Sequence, residues 1–101
     1  MRVLLVEDNQ RLNHELQMSL VDEGYAVDMA FDGVEGQAFA ESTPYDVLIL
    51  DILLPGKDGL EVCRDLRRQH INTPMVFLLG GALALCMNMI PLLVRDVREM
   101  K

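Results

Sequence analysis

Basic residues are scarce in this chain. Nine lysines and arginines stand against sixteen acids, and the formal charge at neutral pH is −7. A surface that acidic repels phosphate backbones, which argues against nucleic acid as a direct partner. Cysteine is scarcer still. Cys63 and Cys86 stand alone, at a spacing that fits neither a disulfide framework nor a metal knuckle. Both are expected as small apolar fillers in a reducing compartment. No leader-like segment opens the chain, because the run Val3–Val6 is short and Glu7-Asp8 ends it; the cytoplasm is the expected location. The uncharged stretch 80–94 has fifteen residues and contains Gly80-Gly81, Asn88 and Pro91. It is too short and too broken for a membrane span, so no membrane partner is expected. Internal repeats and low-complexity tracts are absent. A length of 101 residues allows one domain, and is short for a sheet with two full helix layers.

What is present centres on the stretch Tyr45–Gly59. Val47 to Leu50 is a run of four large aliphatics, the mark of a strand buried on both faces of a parallel sheet. It ends at Asp51 and breaks into a loop holding Pro55, Gly56 and Gly59. An acid at the carboxyl end of a central strand stands where open α/β sheets bind their ligands.

The remaining pattern supports such a sheet. Val3–Val6 is a second aliphatic run, ending in Glu7-Asp8. Asn9 can cap a helix whose apolar stripe is Leu12, Leu16 and Leu20, with Gly24 as its stop. Tyr25–Ala30 alternates as an edge strand, and Asp32-Gly33 is a turn. The spacing predicts a short helix over Val34–Glu41 packing through Val34, Ala38 and Phe39, and Pro44 stops it. Asp58 and Glu61 form a capping-box pair for a helix burying Leu60, Cys63 and Leu66, with Arg64, Arg67 and Arg68 outside. Met75–Leu79 is a further buried strand. The order β-α-β-α-β-α-β implies a doubly wound parallel sheet.

If the second strand is an edge, the first and third are neighbours and their carboxyl ends meet. Glu7, Asp8 and Asp51 then repel one another. A hard divalent cation such as Mg²⁺ relieves that repulsion and offsets charge on a transferring phosphoryl group. Asp51 is the natural carboxylate nucleophile. His14 and His70 have no partner placed by the sequence and are expected to be solvated.

Val3–Asn9, Asp46–Gly59 and Thr73–Leu78 resemble the receiver domain of bacterial two-component response regulators, above all the receivers of OmpR/PhoB-type transcription factors. The resemblance implies a flavodoxin-like (CheY-like) α/β sheet of order 2-1-3-4. It implies Asp51 as phosphoacceptor and Mg²⁺ as cofactor. Asp8 is then a direct metal ligand, Glu7 a ligand through water, and the backbone carbonyl of Leu53 a third protein ligand. It implies a sensor histidine kinase as phosphoryl donor and slow self-dephosphorylation rather than enzymatic turnover. DNA would be reached only through a C-terminal effector domain that this sequence does not contain.

The resemblance stops near residue 78. The family's Thr or Ser at the end of the fourth strand is replaced by Leu79. No Lys-Pro follows, and no aromatic follows Phe77. Lys101 has the family's approximate spacing without its context. Residues 1–78 carry six basic and fourteen acidic residues, whereas 79–101 carry three and two. The expected organisation is therefore an incomplete receiver over 1–79 and an atypical apolar tail over 80–101, with a weak helix over Ala82–Met89. A frameshift, an internal deletion or a premature end of a longer gene would produce such a break. A missing or doubtful fifth strand would leave the edge of the fourth open to homodimers or strand-exchanged oligomers. Two other functions stay open at this point. One is a fragment that only occupies the kinase, without signal output. The other is a phosphohydrolase, which would want an acid where Leu53 stands.

Overall fold

The computed structural model describes residues 1–79 and 82–83. Strand β1 (Arg2–Val6) leads to helix α1 (Gln10–Asp22), strand β2 (Ala26–Ala30), helix α2 (Gly33–Ser42), strand β3 (Val47–Asp51), helix α3 (Gly59–Arg68), strand β4 (Met75–Leu79) and strand β5 (Ala82–Leu83). The sheet order is β2-β1-β3-β4-β5. The first four strands are parallel, as the α/β alternation requires.

The two aliphatic runs lie side by side at the centre. Val6 of β1 pairs with Leu50 of β3, so the residues that follow, Glu7 and Asp51, emerge at one end of the sheet. Alternate residues of the strands serve opposite faces. Leu4, Val6, Leu48, Leu50, Met75 and Phe77 pack against Ala40 of α2 and Val62, Cys63 and Leu66 of α3. Val3, Val47 and Val76 form a smaller cluster on the other side with Leu20 of α1, Tyr25 and Ile49.

The helices start where expected. Asn9, Asp32 and Asp58 each accept a hydrogen bond from the backbone N–H three residues on, which satisfies a donor that the first turn cannot. Their buried faces differ from the expectation. In α2 the buried residues are Gly33, Gly36 and Ala40, while Val34 is exposed. A Cβ at Gly36 would lie 2.7 Å from Val6 Cγ2. The helix sits so close to the sheet that glycine and alanine line its innermost face; Phe39 packs against the core as expected, while Val34 and Ala38 are exposed. In α3, Val62, Cys63 and Leu66 are buried and Leu60 points out. Arg67 is not on a solvated face: its guanidinium donates to the carbonyls of Ile71 and Thr73 at 2.6 and 2.7 Å and ties down the chain entering β4.

The edge beyond β4 also needs amendment. Ala82–Leu83 is extended, not the start of a helix, and pairs antiparallel with Leu79 and Leu78. It covers the carboxyl end of β4, an edge that was expected to stay open because a fifth strand was doubtful or missing. The rest of the expected helix over 82–89, Cys86, Lys101 and most of the 80–101 tail lie outside the described residues. Among the described residues no helix is long and apolar enough to cross a membrane.

Candidate functional site

The carboxyl ends of β1 and β3 bring the three expected acids together. One carboxylate oxygen from each of Glu7, Asp8 and Asp51 lies within 4.8 Å of the others. Glu7 and Asp51 are buried and Asp8 is exposed, so the cluster opens to solvent on the Asp8 side.

Backbone turns aim these side chains. Asp51 Oδ1 accepts from the Leu53 N–H at 3.0 Å, an Asx-type contact that turns the chain sharply after the strand. Gly59, at the start of α3, closes the same loop from behind. Its N–H donates to the Ile52 carbonyl at 2.9 Å, and a Cβ there would lie 2.4 Å from the Asp51 carbonyl oxygen. No other residue type fits that approach without moving the backbone of the candidate phosphoacceptor. Glu7 Oε2 accepts from the Asn9 N–H at 2.9 Å. Its second oxygen, Oε1, is buried with no hydrogen-bond partner.

The electrostatics follow from that geometry. Burial pushes the Glu7 carboxyl up to about 7; the Asn9 N–H opposes the rise, and the nearby Asp8 and Asp51 carboxyls add to it. A buried carboxylate oxygen without a donor, beside two more acids, lacks a positive charge. Three oxygen-donor carboxylates with one open side suit a hard cation that keeps part of its water shell, and the residues present therefore fit Mg²⁺. The Leu53 backbone stands at the edge of the cluster through its bond to Asp51.

His14 and His70 stay outside the cluster. His14 contacts the Gln10 carbonyl through Nδ1 and faces Phe31 at 6.4 Å between ring centroids. His70 sits exposed with φ 62°, in the turn after α3. Cys63 is buried and burial pushes its thiol up, as an inert filler should be.

One residue at the site escaped the sequence reading. Asn13 of α1 is fully buried. Its Nδ2 donates to the carbonyl oxygens of Glu7 and Ala30, both at 3.0 Å. A signal existed. Asn13 falls three and seven residues before Leu16 and Leu20, on their face of the helix, but its polarity argued for the surface.

The family model of the response regulator receiver domain matches residues 3–83. The transcriptional regulatory protein DltR of Streptococcus agalactiae is 42% identical over 78 residues, which are 77% of this chain and 35% of DltR. The chain thus spans about a third of the length of that relative. Among solved structures, the Francisella response regulator 1452 receiver domain superposes with a TM-score of 0.78 at 30% identity, over 92% of this chain and 75% of that one. Response regulator TrrA of Thermotoga maritima, solved in complex with Mg²⁺ and BeF, superposes with a TM-score of 0.76 at 28% identity, over 99% and 98%.

Proposed function

Because this chain belongs to the response regulator receiver domain family, with transcription-regulator relatives of the OmpR/PhoB type, we propose that Asp51 accepts a phosphoryl group from a phosphohistidine of a sensor histidine kinase. The observation that carries this reading is the meeting of the Glu7, Asp8 and Asp51 carboxylates within 4.8 Å. Mg²⁺, held by Asp8, Asp51, the Leu53 carbonyl and, through water, Glu7, would neutralise charge on the transferring group. An Asp51 oxygen attacks phosphorus, the phosphorus–nitrogen bond of the donor breaks, and its electron pair stays with the imidazole. The Leu53 N–H holds the other Asp51 oxygen during the attack. Turnover is slow hydrolysis of the acyl phosphate. Control of transcription would belong to a longer parent protein with an effector domain, acting in the cytoplasm.

Leu79, the last residue of β4, supports a second reading, in which the chain occupies the kinase without passing a signal on. Among the described residues, the β4–β5 ladder covers only Leu78 and Leu79, so a homodimer or strand exchange through the rest of β4 stays within the proposal. Size-exclusion chromatography of a concentrated sample checks it, and a clean monomer removes it.

Incubation with acetyl phosphate and Mg²⁺, read by intact-mass spectrometry, tests the main reading. One phosphoryl adduct is expected, and Asp51→Asn abolishes it. A chain that takes no adduct but still binds the kinase supports the second reading instead.

A further inference from the structure

We propose that Asn13 is a positioning residue for the metal site, setting the place of Glu7 from inside helix α1; this rests on the Mg²⁺ reading above. The placement is unusual for α1. Its apolar stripe residues Leu12, Leu16 and Leu20 are only partly buried, and Asn13 is the helix's one fully buried side chain. Its Nδ2 reaches two strands at once, donating to the Glu7 carbonyl after β1 and the Ala30 carbonyl at the end of β2, at 3.0 Å each. Two carbonyl acceptors require the NH₂ end of the amide to face them, so the orientation of the side chain is fixed by its partners.

The Ala30 carbonyl is already satisfied by the Glu7 N–H at 3.1 Å. Both backbone groups of Glu7 are therefore held: its N–H by Ala30, its carbonyl by Asn13. Two anchors on one peptide segment leave the Glu7 side chain few directions in which to leave the cluster. Asn9, next along, supplies the third hold by donating its N–H to Glu7 Oε2 at 2.9 Å.

Stability alone does not account for the residue. Asparagine is a poor helix former, and Asn13 Oδ1 is buried with no hydrogen-bond partner. A buried polar atom without a partner costs stability. Alanine would suit the helix better, remove the orphan oxygen and leave Ala30 satisfied; what it would lose is the donor to the Glu7 carbonyl. Where a sequence breaks a local rule of stability, a site is the expected reason. The site here is Glu7, whose carboxyl bears on the cation rather than on the core.

The test is calorimetric titration of the metal-free chain with Mg²⁺, for wild type, Asn13→Ser and Asn13→Ala, beside thermal melts of each in EDTA. Ser keeps one donor and Ala keeps none. The expected result, read well below each variant's melting temperature, is Mg²⁺ affinity falling in the order wild type, Ser, Ala, by roughly tenfold at Ala, whatever cost the orphaned Glu7 carbonyl adds to the EDTA melts. A purely structural Asn13 lowers the EDTA melting temperature and leaves Mg²⁺ affinity unchanged, which overturns the inference while the Mg²⁺ reading stands. A wild-type chain that binds no Mg²⁺ overturns the underlying reading instead.

Discussion

The sheet carries acids toward both ends, and the two ends treat them differently. Toward the amino end, Asp28 of β2 accepts from the Tyr45 hydroxyl at 2.7 Å and pairs with the Arg2 guanidinium at 3.3 Å. Asp46 accepts from the Arg2 N–H at 2.6 Å, and the guanidinium stands 5.8 Å from the centre of the Tyr45 ring. At the carboxyl end, Glu7, Asp8 and Asp51 share a space, no lysine or arginine among the described residues forms an ion pair with them, and Glu7 Oε1 is left bare. One group of acids is completed by the protein's own donors, whereas the other keeps a buried carboxylate oxygen without one. That difference in partners is what the proposed metal site at the carboxyl end rests on.

The largest effect that sharpens this contrast is loss of chemistry. Asp51→Asn abolishes phosphoryl incorporation from acetyl phosphate altogether, whereas Asp46→Asn leaves the adduct at its wild-type level by mass spectrometry.

Next comes stability against pH. The folded chain holds the Glu7 proton up to about 7, above the ordinary carboxylate value of 4.5. Between those values the folded state binds more protons than the unfolded one. The contribution is therefore fully present below pH 4.5 and is lost as pH rises through 7. Urea unfolding in EDTA should show stability falling by up to about 3 kcal/mol from this group between pH 4.5 and 8. Glu7→Gln should flatten that slope, and Mg²⁺ should restore the loss in wild type. A slope unchanged in Glu7→Gln would assign the effect elsewhere.

The smallest effect belongs to the amino end. Tyr45→Phe removes one hydrogen bond to Asp28 and should cost about 1 kcal/mol. Tyr45 is pushed up to about 12 by burial and by its bond to Asp28, so no pH dependence between 5 and 8 should accompany the loss. A matching change in phosphoryl incorporation would mean that the two ends are coupled.

Much of this was legible in the residues. The two aliphatic runs ending in acids placed β1 and β3 and, with an edge strand between the helices, brought Glu7, Asp8 and Asp51 together. Caps at Asn9 and Asp58 were readable because a short acceptor side chain before an apolar pattern has a local partner. Contacts across elements were not. Leu60 and Val62 are equally apolar, and only the tilt of α3 on the sheet decides that Val62 faces in. Gly36 and Gly59 look like weak points of helices until Val6 and the Asp51 carbonyl are seen against them. Asn13 was missed because its two acceptors come from strand ends six and seventeen residues away. The Arg67 clamp was missed for a similar reason, since backbone carbonyls leave no trace in a sequence pattern.

The contrast between the two ends is tested most directly by titrating Mg²⁺ into the metal-free chain at pH 8, beside Asp8→Asn and Asp28→Asn. One site is expected in wild type, with unchanged affinity in Asp28→Asn and a loss on the order of a hundredfold in Asp8→Asn, about 2.7 kcal/mol. No binding heat in wild type, or equal weakening by the two substitutions, would contradict that expectation.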